Sequence, residues 1–207
     1  MKKKFFGPFR VSAMLDSNGS NTTAAAAVAL LEKAGKIAGK KAVVLAGTGP
    51  VGMRAAAFLG KEGAEVSLTS RAQARADNAA RAVESRFGVK VKPIQATDDA
   101  ARAQAVKDAN IVFAAGAIGV QLLKAQDWQN NPSIEMLADV NAQPPLGIEG
   151  VEATDKKKER SGKIVFGALG VGGLKLKLHR GCIGKLFESS EGVLDAEEIY
   201  ALAKEMA

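Results

Sequence analysis

Two rhythms of apolar positions alternate along this chain. Short continuous apolar runs are bounded by glycine, and longer alanine-rich stretches repeat apolar residues three or four positions apart. The first rhythm reads as buried strands and the second as helices. Strands are expected at residues 9–15, 41–46, 65–70, 90–95, 110–115, 133–139 and 163–167, with a polar loop at 16–21. A helix capped by Asn21 or Thr22 should run from 24 to about 36, with Gly35 and Gly39 bracketing its end. Further helices are expected at 51–60, at 72–86 and at 97–107, where Asp98 and Asp99 fall in the first turn. Another should span 171 to about 189, and the last begins at Asp195, with Glu198 completing a capping box. In the helix from 171, spacing places Val171, Leu174, Leu178, Ile183 and Leu186 on an apolar side. Lys175, His179 and Cys182 share another face.

Strands alternating with helices imply an α/β fold, a doubly wound parallel sheet with right-handed crossovers. Its ligand should lie beyond the carboxyl ends of the strands, where strand order reverses. The segments falling there are 47–52, 70–71, 115–119, 139–147 and 168–173.

The first of these segments is Gly47-Thr-Gly-Pro-Val-Gly52. Gly47 suits a tight turn, Gly49 lets the backbone approach a phosphate, and Gly52 allows close packing of helix on strand. Thr48, Pro50 and Val51 complete the loop, whose N–H groups face an anion along the helix dipole. Such a glycine pattern recurs by chance, so the flanking strand, the alanine-rich helix and the second strand carry the assignment to a dinucleotide. An NAD site places Asp or Glu about 20 residues beyond the glycines. Here the second strand ends in Thr69-Ser70-Arg71. The Ser70 hydroxyl and the Arg71 guanidinium can hold a 2'-phosphate that a carboxylate would repel, so NADP is favoured. Arg75 lies one turn further along the next helix and can add to the field.

Composition leaves this picture intact. With 207 residues, 47% hydrophobic and 25% charged, the chain suits one well-packed domain with at most a small appendage. The formal charge of +7 is spread along the chain and aromatics make up 5%, which argues against nucleic acid and suits a pocket for a phosphorylated anion. Lys2 to Lys4 and Lys156 to Lys158 read as a solvated terminus and loop. Cys182 stands alone, no metal-ligand set is present, and no apolar run is long enough for a membrane span, so a cytoplasmic protein is expected. Trp128 and Tyr200 read as packing residues.

Several longer strings resemble one family, the bacterial NADP-dependent methylene-tetrahydromethanopterin dehydrogenases of one-carbon metabolism. They are Phe5-Phe-Gly-Pro-Phe-Arg-Val-Ser, Met14-Leu-Asp-Ser-Asn-Gly-Ser-Asn-Thr-Thr, Ala46-Gly-Thr-Gly-Pro-Val-Gly-Met-Arg, Asn141-Ala-Gln-Pro-Pro-Leu-Gly-Ile, Gly167-Ala-Leu-Gly-Val-Gly-Gly-Leu-Lys-Leu-Lys-Leu-His-Arg and Leu186-Phe-Glu-Ser-Ser-Glu-Gly. The resemblance covers practically the whole chain. It implies a remnant of an N-terminal pterin-side domain over 1–38, a Rossmann NADP-binding domain over 39–190, and a C-terminal helix over 191–207 packing back on the N-terminal part. Members carry a longer N-terminal segment, of which this chain keeps the last part.

The implied reaction moves hydride from methylene-tetrahydromethanopterin, or methylene-tetrahydrofolate, to NADP. The products are the methenyl compound and NADPH, and neither metal nor flavin takes part. The two nitrogens flanking the methylene carbon stabilise the cation left behind. The protein has to align the reactants at roughly 3 to 3.5 Å and exclude water. The resemblance places the functional lysine in the Leu174-Lys-Leu-Lys-Leu string, with Lys175 the candidate. A charged lysine beside the reacting carbon opposes the developing cation, so it must be neutralised, desolvated or turned toward the pterin carbonyl. Lys177 faces elsewhere on a helix. His179 and Cys182 read as packing residues.

Asp16, Ser17, Asn18 and Ser20 lie in a loop that can face the pterin or cap a helix. Ala115 and Gly116 adjoin the nucleotide, and Asn141 or its neighbouring backbone can hold the carboxamide. A homo-oligomer, a trimer by the resemblance, is implied. Two readings compete: an NADP-binding module left without catalysis by the shortened N-terminus, and a shikimate-type dehydrogenase reducing a keto acid. The Leu-Lys-Leu-Lys-Leu-His string argues against the second.

Overall fold

The computed structural model describes residues 10–207. The chain passes through β1 (Ala13–Met14), a 3-10 turn at Ser17–Gly19 and α1 (Ser20–Ala34), then enters β2 (Lys41–Leu45). It continues as α2 (Pro50–Lys61), β3 (Glu65–Ser70), α3 (Gln73–Phe87), β4 (Val91–Gln95), α4 (Asp99–Val106) and β5 (Ile111–Ala114). The second half holds α5 (Ala125–Trp128), β6 (Met136–Asp139), β7 (Lys158–Arg160), β8 (Lys163–Phe166), α6 (Ala168–Lys185), β9 (Val193–Leu194) and α7 (Ala196–Met206).

The main sheet has the order β4-β3-β2-β5-β6-β8-β7, parallel throughout except for the antiparallel edge pair β7–β8. The chain steps outward from β2 to β4 and returns to β5 on the other side of β2. Strand order therefore reverses between β2 and β5, and a crevice opens at their carboxyl ends. Both sheet faces are covered, which is why these strands read as continuous apolar runs. Ala42, Val44, Phe113 and Ala138 face one core, together with α1, α2, α3, α6 and α7. Val43, Leu45, Val112 and Leu137 face a second core with Leu123 and Trp128. Trp128 is fully buried and donates its indole N–H to the Glu149 carbonyl, while Tyr200 stacks on Phe58 with centroids 4.3 Å apart.

Several expectations are corrected. The strand at 9–15 shrinks to Ala13–Met14, which pairs in parallel with β9 in a separate two-stranded sheet. Phe9 itself, the Lys2 to Lys4 run and most of the first string of the resemblance lie outside the described residues. Neither Asn21 nor Thr22 caps α1. Gly19 takes the cap position with a left-handed φ of 65°, and the Asp16 carboxylate accepts from the Asn21 and Thr22 N–H groups in their place. The strand at 133–139 is confined to Met136–Asp139. Lys158 belongs to strand β7, since Ser161 and Gly162 both adopt positive φ and turn a tight hairpin. In α6, Cys182 joins Val171, Leu174 and Leu178 in the core, whereas Ile183 is exposed. The capping box at Asp195 and Glu198 is formed.

Candidate nucleotide and substrate cleft

The turn after β2 is built against the neighbouring strand. Ala46 carries its only left-handed residue, with φ of 51°. Its N–H donates to the Thr69 hydroxyl and the Gly47 N–H donates to the Thr69 carbonyl, both at 3.0 Å. Gly47 thus owes its identity to crowding and not to a positive φ. A Cβ there would lie 2.8 Å from the Leu68 Cβ and 3.0 Å from the Val44 carbonyl oxygen. At Gly52 a Cβ would sit 2.6 Å from the Gly47 Cα, so this glycine lets α2 start directly against the turn. Gly49 differs from both, since a Cβ there would meet nothing within 4 Å. Open space at the central glycine fits a phosphate in van der Waals contact with bare backbone.

Pro50 occupies the first turn of α2, where its missing N–H removes a donor that would otherwise stay unpaired, and no acidic residue lies in that turn. The remaining first-turn N–H groups have no intrahelical acceptor and point along the positive end of the dipole. Thr48 and Val51 complete this cradle. At the tip of β3, the Ser70 carbonyl accepts from the Ala96 N–H, and the Arg71 carbonyl accepts from the Gln95 side-chain amide at 3.1 Å. Arg71 and Arg75 are exposed, and neither side chain has an ion-pair or hydrogen-bond partner among the described residues.

Thr69 was not among the expected site residues. It is 2% exposed and holds both N–H groups of the turn's approach. The signal was available: a hydroxyl in an otherwise apolar buried strand beside Ser70-Arg71, with β2 and β3 pairing Val44 with Leu68 just before it. Replacing Thr69 with Val keeps the shape and strands the Ala46 N–H, at a cost of about 1–3 kcal/mol. Thr69→Val should therefore weaken NADP binding about tenfold, with Thr69→Ser close to wild type by calorimetric titration. Equal affinity for all three chains would remove Thr69 from the site.

On the other side of the crevice, the Ala115 N–H donates to the Leu45 carbonyl, and a Cβ at Gly116 would press within 2.8 Å of a Leu122 methyl. Asp139, 1% exposed, organises the loop that follows β6 by accepting from the Asn141 and Ile148 N–H groups at 2.9 and 2.8 Å. Burial pushes its carboxyl above the usual range, and the backbone donors pull against that shift. Asn141 is buried. Its amide N–H₂ group reaches the Ala117 and Pro145 carbonyls at 3.4 Å, and its side-chain oxygen accepts from the Gln143 N–H. The structure therefore uses Asn141 to tie loop 140–148 to loop 115–119.

The glycines of the 167–173 segment divide in the same way. A Cβ at Gly167 or Gly170 would fall 1.9 Å from the Glu152 or Asp155 carbonyl oxygen, so these two pack α6 against loop 152–155. Gly172 and Gly173 face open space. Gly172 lines a cleft of about 270 Å³ with Thr23, Val140, Ala142, Lys175 and Leu176, between the start of α1, the end of β6 and the first turns of α6.

Lys175 is half-buried there. A Cβ on Gly19 would lie 3.0 Å from its Nζ, and no carboxylate stands within ion-pair distance of it among the described residues. Lys177 points away and donates to the Met206 carbonyl at 3.1 Å. His179 Nδ1 lies 3.5 Å from the Asp16 carboxylate, which also accepts from the Thr22 hydroxyl at 2.7 Å. Asp16 is thus committed to the start of α1, with His179 of α6 beside it. Ser20 donates to the Ser17 carbonyl, while Ser17 and Asn18 are exposed. Asp16 and Ser17 border a different hollow, of about 610 Å³, with Met14, Arg54, Arg86 and Phe87. Burial and the nearby Asp16 charge push the Cys182 thiol up to about 11, so it is an inert core group.

A doubly wound sheet with an open glycine turn at the point of strand reversal defines the class of dinucleotide-dependent Rossmann proteins. A transhydrogenase from Sinorhizobium meliloti shares this fold with a TM-score of 0.56 at 20% identity, covering 90% of this chain and 52% of that one. The chain thus spans about half the length of that solved structure. No family model matches the sequence.

Two proteins of Methylorubrum extorquens match the full chain over 73% of their own length. One, named bifunctional protein MdtA, is 68% identical. The other, named NAD(P)-dependent methylenetetrahydromethanopterin dehydrogenase, is 35% identical. The chain belongs to this methylenetetrahydromethanopterin dehydrogenase family and is an oxidoreductase.

Proposed function

We propose that the protein oxidises a methylene-tetrahydropterin C1 carrier, methylene-tetrahydromethanopterin or methylene-tetrahydrofolate, with NADP, forming the methenyl carrier and NADPH. The observation that supports this most is an open Gly49 facing an acid-free helix start while Arg71, unpaired among the described residues, stands at the neighbouring strand tip, in a chain 68% and 35% identical to members of that family. When bound, NADP supplies the hydride acceptor. Thr48, Gly49 and Val51 present main-chain donors to the pyrophosphate, and Ser70 and Arg71 hold the 2'-phosphate. Ala115, Gly116 and the backbone around Asn141 border the nicotinamide end.

Lys175 has no neutralising carboxylate among the described residues, which leaves two of the three arrangements, a desolvated lysine or one turned toward the pterin carbonyl. Ser17 and Asn18 remain available to the pterin, whereas Asp16 and Ser20 shape the loop. Apolar walls from Val140, Ala142 and Leu176 help exclude water from the reacting carbon. No helix among the described residues is long and apolar enough to cross a membrane. The family resemblance extends the proposal to a cytoplasmic homo-oligomer, a trimer.

The test is a spectrophotometric assay of this polypeptide with both carriers and both nucleotides. NADPH should form with at least one carrier, faster than NADH at equal nucleotide concentration. Binding of NADP without NADPH formation from either carrier would favour the non-catalytic module.

A further inference from the structure

Arg54 stands one turn into α2, just beyond the glycines of the proposed phosphate cradle, and is half-buried. Its guanidinium works in two directions. Nη1 donates to the carbonyl of Pro50, the residue that opens the helix, at 3.0 Å. Nε donates to the side-chain oxygen of Asn21, the second residue of α1.

Asn21 is 1% exposed. Its amide N–H₂ group donates to the Leu15 carbonyl and reaches the Asp195 carboxylate at 3.4 Å. Its oxygen has Arg54 as its one partner among the described residues. Two acceptors at one end and a cationic donor at the other fix which end of the amide is which. Through Asn21, α2 therefore holds the chain at Leu15, and from there the loop runs through Asp16 to Gly19. That loop is the wall opposite the Lys175 ammonium, since a Cβ on Gly19 would lie 3.0 Å from Lys175 Nζ. The Asp16 carboxylate shapes the loop on α1 itself, whereas Arg54 ties it to the helix that starts at the glycine turn.

We propose that Arg54 is a positioning residue for hydride transfer: by holding Asn21 it keeps the Gly19 wall, and with it the Lys175 ammonium, in register with a nucleotide seated at the start of α2. The proposal rests on the dehydrogenase reading of the cleft. Aligning two reactants is the main task of such a site, and a displacement of about 1 Å there costs up to about 100-fold in rate. Removing the guanidinium leaves the buried Asn21 oxygen without a donor, which drives the loop out of place.

The experiment compares wild type, Arg54→Met, Arg54→Lys, Lys175→Ala and the Arg54→Met/Lys175→Ala double variant. Each is titrated with NADP and assayed for kcat with methylene-tetrahydromethanopterin and methylene-tetrahydrofolate at saturating NADP. Methionine keeps the packing of the stem and removes every donor, while lysine keeps the charge and a donor. Arg54→Met should lower kcat about tenfold, the loss of one buried charge-assisted contact, with Kd for NADP within about threefold. Arg54→Lys should recover most of the rate. In the Lys175→Ala background, Arg54→Met should cost less than about twofold more, because the group it positions is gone. Arg54→Gln, milder because it keeps a neutral donor, is carried through the same cycle in case Arg54→Met does not melt cooperatively, with a loss of about threefold expected. An unchanged kcat, a Kd for NADP that rises as far as kcat falls, or the full loss repeated in the Lys175→Ala background overturns the proposal. So does Lys175→Ala with wild-type turnover. Wild type that binds NADP and oxidises neither carrier overturns the dehydrogenase reading, and this proposal with it.

Discussion

Arg71→Glu should raise the Kd for NADP by about 100-fold and leave that for NAD within about threefold, because a charge-assisted contact worth about 1.5–3 kcal/mol is replaced by repulsion. The effect is selective because of where Arg71 sits. Its carbonyl is pinned by the Gln95 side chain and its neighbour Ser70 is pinned by the Ala96 N–H, so the backbone at this tip is held from β4. Only the exposed guanidinium is left to respond to the ligand. The glycine turn, the proposed seat of the pyrophosphate common to both nucleotides, is anchored separately through Thr69. Titrations with both nucleotides at low and moderate salt provide the measurement, and the NADP affinity of wild type should be the more salt-sensitive of the two. An equal loss for NADP and NAD would place the 2'-phosphate elsewhere.

The sequence rendered the sheet legible because strands covered on both faces leave continuous apolar runs. Residues 65–70 coincide with β3. Elements stabilised by turn chemistry or by distant partners were less visible. β7 is short, charged and held as an edge by the Ser161-Gly162 turn, so its basic residues look like a solvated loop. β1 exists because Val193 and Leu194 pair with it, a partnership far along the chain that no local pattern announces.

The glycines illustrate a second limit. Motif spacing gives Gly47, Gly49 and Gly52 separate roles, but nothing in the sequence tells Gly167 and Gly170 from Gly172 and Gly173. Only packing separates those wedged against backbone or a neighbouring strand from those left open toward a cleft. The same holds for polar residues of the loop at 16–20, where Asp16 could face a ligand or cap a helix until its carboxylate is seen bonded to the Asn21 and Thr22 N–H groups.

Lys175→Ala should lower kcat by about 100-fold, the low end of what a positioned acid, base or polarising group contributes, with Kd for NADP within about twofold. The separation follows from geometry, since Lys175 lines the cleft at the start of α6 and the proposed phosphate cradle is built from β2, α2 and β3. Loss of the side chain leaves the fold in place, because Leu174 and Leu178 on the buried side of α6 carry its packing. Gly19→Ala probes the same ammonium from the opposite wall. A Cβ at that position would come 3.0 Å from Lys175 Nζ, on a residue whose φ of 65° already strains any side chain. It should therefore reduce kcat by moving the ammonium, and thermal melting would report the accompanying backbone cost of about 1 kcal/mol. A Lys175→Ala chain with wild-type turnover would remove this lysine from the reaction. A Gly19→Ala chain that melts earlier yet turns over normally would show that the ammonium's position beside the loop is incidental.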